Sequence, residues 1–128
     1  MKYVLIAEDD PDITDALCQI LTERLDVDCD VVANGALVMD SIAARRPDLL
    51  ILDVSLPGLN GLDVFDVLRS DPHWQSMPVL FLTGVPERAE RANAPTGVHE
   101  VLAKPFDVNE LVARVERLTS AAMRVVAA

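Results

Sequence analysis

Five side chains in this 128-residue sequence have the types and neighbours that phosphorus chemistry uses. Glu8 and Asp9 follow the apolar run "KYVLIA", and Asp53 closes the run "DLLILD". Thr83 closes "MPVLFLT", and Lys104 closes "HEVLAK" just before Pro105. Carboxylates gathered in one place raise each other's pKa or require a cation. Mg²⁺, held by one or two carboxylates with phosphate oxygens and waters, meets that requirement. A carboxylate held beside such an ion can attack phosphorus and become an acyl phosphate. The equatorial phosphoryl oxygens then take metal, ammonium and hydroxyl as partners. Asp53, at the end of its apolar run and followed by a turn with Pro57, Gly58 and Gly61, stands where it can meet both a metal and a phosphoryl group.

That chemistry requires the chain to bring four separate runs to one edge. The pattern supplies the means. Strands are predicted over 2–7, 27–33, 48–53, 77–84 and 99–104, the second nearer an edge because it interleaves acids. Between them lie helical patterns. The first has Asp10 as N-cap, Pro11 at its first position and a stripe of Ile13, Leu17, Ile20, Leu21 and Leu25. The second is "GALVMDSIAARR", ended by Pro47, and the third runs from Gly61 to about Ser70 with Leu62, Phe65 and Leu68 inward. The fourth, "ERAERANA", is apolar-poor and so short and loosely held. The last starts at Asp107 and carries Val108, Leu111, Val112, Val115 and Leu118. Strict alternation of strand and helix predicts an α/β fold with a parallel sheet covered on both faces. Ligands of such sheets bind outside the carboxyl ends of the strands, where these five residues fall. One domain over 1–128 is expected, with a helical tail over about 119–128.

The net charge of −10 disfavours nucleic acid and anionic membrane as direct partners. The apolar runs are too short for membrane insertion. No targeting segment follows Met1, so a cytoplasmic location is expected. Cys18, on a helix, and Cys29, at a strand start, lack zinc or C-x-x-C spacing and read as reduced thiols. His73 and His99 have no metal-ligand partner at suitable spacing. Trp74 reads as a packing lid before the fourth strand.

Four stretches, "VLIAEDDPDI", "DLLILDVSLPGLNGLDV", "PVLFLTG" and "VLAKPF", occur in order and each at a strand end. Together they make the chain resemble a response-regulator receiver domain of two-component signalling. The resemblance implies a flavodoxin-like, doubly wound five-stranded sheet in the order 2-1-3-4-5 with five helices. It implies that Asp53 is the phosphoacceptor. Mg²⁺ is then held by Asp9 directly, by Glu8 through water, by Asp53 and by the backbone carbonyl of Ser55. Thr83 is the hydroxyl that turns toward the phosphoryl group, Lys104 its ion-pair partner, and Lys104–Pro105 a cis peptide. The phosphoryl donor is a sensor histidine kinase or a histidine phosphotransfer protein, and the output is a downstream protein target rather than enzymatic turnover.

The chain departs from the resembled pattern where the signal is passed on. The switch residue paired with Thr83 is usually aromatic, and here it is Val101, which has no long lever. Reordering of Val85–Val98 is the expected alternative. Ser55 and Val85 occupy the positions that gate water, and neither suits its orientation, so slow to intermediate self-dephosphorylation is expected. Two rival classes are a phosphorylation-independent interaction module and an Asp-nucleophile phosphatase. The first is disfavoured by retention of Asp53, Thr83 and Lys104, the second by Ser55 where a second acid is wanted.

Overall fold

The computed structural model describes residues 1–91 and 98–127, with side chains through Ser120. The elements are β1 (Lys2–Ala7), α1 (Pro11–Arg24), β2 (Val27–Val32), α2 (Val38–Ala44), β3 (Leu49–Leu52), α3 (Gly61–Ser70), β4 (Val79–Thr83), α4 (Pro86–Glu90), β5 (His99–Ala103) and α5 (Val108–Ala127). All strand pairs are parallel, in the order β2-β1-β3-β4-β5. Every residue of β3 and β4 is buried. That is why their sequences show unbroken apolar runs instead of alternation. At the β2 edge, by contrast, Asp28 and Asp30 interrupt the apolar residues, as expected for a strand with one side open.

Helices on the two faces divide the interior into two cores. On one side α2 and α3 bury Val38, Ile42, Val64, Phe65 and Leu68 against Leu5, Leu50, Leu52 and Phe81. On the other, α1 and α5 bury Leu17, Leu21, Leu111, Val115 and Leu118 against Val4, Ile6, Ile51 and Leu80. The α1 stripe differs slightly from its sequence pattern. Thr14 is buried in it, its hydroxyl bonded to the Pro11 carbonyl at 3.1 Å, while Ile13 and Ile20 lie only partly covered.

Helix ends follow local chemistry. The Asp10 side chain accepts from the Asp12 N–H at 2.9 Å, and Pro11 opens α1. The second helical pattern starts as a 3-10 turn over Gly35–Leu37, because the Asn34 side chain accepts from the Ala36 N–H at 2.8 Å. It ends at Ala44, before the residue that Pro47 biases toward extended backbone. β4 begins at Val79 rather than 77, since Pro78 has no N–H for the ladder. Asp107 caps α5, accepting from the Asn109 N–H at 2.7 Å. Helix α4 has five residues and buries only Ala89. Of the expected helical stretch 87–94 and the expected reordering segment 85–98, residues 92–97 lie outside the described residues, as does Ala128 of the expected tail.

The loop after β3 is held from two sides by glycines. A Cβ on Gly35 would lie 1.6 Å from the Leu59 carbonyl oxygen, and one on Gly61 would lie 2.1 Å from that of Asp53. Backbone hydrogen bonds run across both approaches, from Gly35 N–H to Pro57 O at 3.0 Å and from Gly61 N–H to Val54 O at 2.8 Å.

Candidate functional site

Register places the site. Ala7 pairs with Leu52, and the Asp53 N–H donates to the Ala7 carbonyl at 3.0 Å. The residues just beyond β1 and β3 therefore meet. Glu8 and Asp53 are buried, at 3 % and 6 % exposure, whereas the Asp9 side chain is exposed. Carboxylate oxygens of Glu8, Asp9 and Asp53 all lie within 4.8 Å of one another. On the far side, the Lys104 N–H donates to the Thr83 carbonyl at 2.9 Å, which continues the β4–β5 ladder to the same sheet edge.

Lys104 bridges the two buried acids. Its Nζ donates to Asp53 Oδ2 at 3.0 Å and makes a short hydrogen bond to Glu8 Oε1. The Asp9 N–H donates to Glu8 Oε2 at 2.9 Å, and the Ser55 N–H to Asp53 Oδ1 at 3.2 Å. Thr83 is fully buried, and its Oγ1 accepts from the Val85 N–H at 3.1 Å. No hydrogen bond joins Thr83 to the acids among the described residues. The Ser55 side chain is exposed, and the Lys104–Pro105 peptide is cis. Val101 lies half-buried beside Phe81 in the register of β5 on β4. Two residues earlier, the His99 ring packs edge-on to Phe65 and Phe81, at 5.1 and 6.5 Å between centroids. Trp74 packs against the α2/α3 core with His73 edge-on to it at 4.4 Å.

The electrostatics are unbalanced by design of the geometry: three carboxylates face one ammonium. Burial pushes Glu8 up, and although Lys104 opposes the rise, the neighbouring Asp53 adds to it, leaving Glu8 at about 7. Burial also pushes Asp53 up, but hydrogen bonds from Lys104, Glu8 and the Ser55 N–H outweigh it and hold the carboxyl below its ordinary value. Burial lowers Lys104, and its bonds to Glu8 and Asp53 more than restore it, so the ammonium stays charged. Asp53 is therefore the ionised member of the pair and Glu8 the one that takes a proton first. The donor set is all oxygen with negative charge in excess, which is what Mg²⁺ takes.

Spacing along the chain did not reveal that Lys104 reaches Glu8 as well as Asp53. Nor did it reveal Arg69, whose guanidinium stacks on Phe65 at 4.7 Å and donates to the Met77 and Val98 carbonyls at 2.9 and 3.2 Å. The only signal for Arg69 was a basic residue in the last turn of a helix, which is common at helix ends generally.

Acids beyond the first and third strands and a lysine beyond the fifth thus meet at one edge of a parallel sheet in this order. The family Response regulator receiver domain matches residues 4–116. The chain belongs to this family and is a receiver domain of two-component signal transduction. It is 34 % identical over 115 residues to the DNA-binding response regulator MtrA of Mycolicibacterium smegmatis, covering 89 % of this chain and 49 % of that protein. The chain thus spans about half the length of such curated relatives. Among solved structures, the signal receiver domain of a signal transduction histidine kinase from Syntrophus aciditrophicus superposes with a TM-score of 0.83 at 29 % identity, covering 94 % of this chain and 92 % of that one. The receiver domain of sensor histidine kinase PA1611 from Pseudomonas aeruginosa PAO1, which has a magnesium ion coordinated in its active site cleft, gives 0.80 at 27 %, covering 93 % and 98 %. Among the described residues no helix is long and apolar enough to cross a membrane.

Proposed function

We propose that Asp53 accepts a phosphoryl group from a phosphohistidine of a sensor histidine kinase or phosphotransfer protein. The observation that carries this reading is the position of Lys104 Nζ between two buried carboxylates, with Asp9 beside them. Glu8, Asp9, Asp53 and the Ser55 carbonyl would hold Mg²⁺. When bound, the ion supplies charge neutralisation at the phosphoryl oxygens. The Asp53 carboxylate attacks phosphorus, the P–N bond breaks, and the carboxyl oxygen keeps the phosphoryl group as an acyl phosphate. Asp53 can do this because it remains ionised. Lys104 is close enough to follow the new charge outward from the Asp53 oxygen it already contacts. Thr83 would donate its O–H to the phosphoryl group, and because its Oγ1 accepts from the Val85 N–H, that contact couples the site to the start of α4.

Val85, half-buried against the α2/α3 core, shields one approach for water, and Ser55 lacks a group that would activate it. Slow to intermediate loss of the phosphoryl group follows. The receiver acts in the cytoplasm as a switch for a protein target, not as a turnover enzyme and not by contacting nucleic acid through these residues. Its surplus of acids fits that role. Incubation with Mg²⁺ and acetyl phosphate, followed by intact mass, is the test. One added phosphoryl group is expected on the wild-type chain and none on Asp53→Asn. An unchanged yield on Asp53→Asn, or no addition to the wild type, overturns the reading.

A further inference from the structure

The loop between Asp53 and Gly61 touches a turn that belongs to neither of its flanking elements. Asn34, two residues after β2, accepts from the Ala36 N–H through Oδ1 at 2.8 Å and so caps the 3-10 turn Gly35–Leu37. The same side-chain amide packs against Gly58. A Cβ on Gly58 would lie 2.0 Å from Asn34 Oδ1 and 2.7 Å from its Cγ. Gly58 also has a φ of 80°, so both its backbone and its neighbour demand glycine.

Two carbonyls of the loop are tied down. That of Val54 accepts from the Leu56 and Gly61 N–H groups at 3.1 and 2.8 Å. That of Pro57 accepts from the Gly35 and Leu59 N–H groups, each at 3.0 Å. The Ser55 carbonyl lies in the chain between these anchors, and the Ser55 N–H is held by Asp53 Oδ1 at 3.2 Å. Its direction therefore follows the spacing of the anchors. The first anchor is made by the loop and the start of α3. The second is completed from outside, by the turn that Asn34 caps.

We propose that Asn34 is a positioning residue for the metal site, holding the Ser55 carbonyl where Mg²⁺ can use it. This rests on the reading above, in which that carbonyl, Glu8, Asp9 and Asp53 hold the ion. Mg²⁺ requires near-ideal octahedral geometry at about 2.0–2.1 Å, whereas Ca²⁺ accepts six to eight oxygens at about 2.3–2.6 Å in flexible arrangements. A carbonyl that drifts by about half an ångström is lost to the smaller ion and kept by the larger. The attraction of the carboxylates is common to both ions. Loosening the second anchor thus erodes discrimination between the ions more than it erodes cation binding as such.

The test is calorimetric titration of the chelator-treated full chain with Mg²⁺ and with Ca²⁺, beside amide exchange without metal. Asn34→Ala removes the cap and the contact on Gly58. It should speed exchange at Leu56 and Leu59, raise the Mg²⁺ Kd about fivefold and change the Ca²⁺ Kd less than about twofold. Asn34→Asp keeps a capping oxygen on a side chain of the same size and should return the ratio of the two constants to the wild-type value. Val115→Ala, in the core on the other face of the sheet, should lower the melting temperature and leave both constants unmoved. An unmoved ratio in Asn34→Ala, a ratio that Asn34→Asp does not restore, or an equal shift in Val115→Ala would each overturn the positioning role. A wild-type chain that binds no Mg²⁺ overturns the proposed function together with it. Wild-type binding with an unmoved ratio in Asn34→Ala overturns the positioning role alone.

Discussion

Two charge clusters flank β5, and they are near mirror images. At its carboxyl end one cation, Lys104, serves two anions, Glu8 and Asp53. On its outer side one anion, Glu100, serves two cations, Arg114 at 3.4 Å and Arg117 in a short contact. The side chains of the first cluster are 4 % (Glu8), 7 % (Asp53) and 20 % (Lys104) exposed; those of the second are 23 % (Glu100), 24 % (Arg114) and 56 % (Arg117) exposed. Water can finish what the Glu100 cluster lacks. It cannot do so for Glu8 and Asp53, where burial first and the neighbouring Asp53 second push Glu8 up to about 7. The same number of ion pairs is a surface detail in one place and a poised site in the other.

Removing the shared ion should separate the clusters most sharply. Lys104→Ala strands two buried carboxylates and should cost about 3 kcal/mol in the metal-free protein, read from urea denaturation. A loss no larger than that of a surface variant would erase the distinction. Mg²⁺ is the next probe. At a hundredfold excess over its Kd it should stabilise the wild-type chain by about 2.7 kcal/mol. Asp9→Asn should raise the melting temperature without metal and shrink the Mg²⁺ response, whereas equal responses in both proteins would remove Asp9 from the site.

The pH dependence is subtler. Glu8 binds its proton more tightly when folded, at about 7 against an ordinary 4.5, so its contribution to stability is full below 4.5 and lost as pH rises through 7. Asp53 works the other way: its contribution is present above its ordinary value and lost on acidification. In chelator-treated protein, melting temperature should therefore decline between pH 4.5 and 7 by a share that Glu8→Gln abolishes. An identical slope in the variant would show that the proton resides elsewhere. Smallest of all, Arg117→Ala should leave the melting temperature within the scatter of repeated melts, because Glu100 keeps Arg114 and water.

The buried cluster was largely legible in the sequence and the exposed one was not. Asp53 stands out because a carboxylate closes an unbroken apolar run just before a turn with Pro57, Gly58 and Gly61, and three other runs end in Glu8-Asp9, Thr83 and Lys104. Burial on both faces wrote β3 and β4 into the sequence for the same reason. Strand order, in contrast, came from family resemblance, since alternation alone permits several windings. Details set by contacts between distant segments were hidden: the reach of Lys104 to Glu8, the 3-10 entry to α2, and the placement of Cys29 inside β2 rather than at its start. Arg69 and His99 were hidden too, because their meaning lies in Phe65, which both of them face.

The approach of Gly35 to the Leu59 carbonyl has a consequence for anyone who would transplant this domain's reactive loop. The segment from Asp53 to Asn60 looks portable, a short stretch between a strand and a helix. Its shape, however, is moulded against a turn more than twenty residues upstream, at a point where even a methyl group would collide with backbone. A graft carrying only the downstream segment would arrive without its mould. The smallest exchangeable part is the pair of turns together, and a recipient with any side chain at the position of Gly35 would have to rebuild the loop around it.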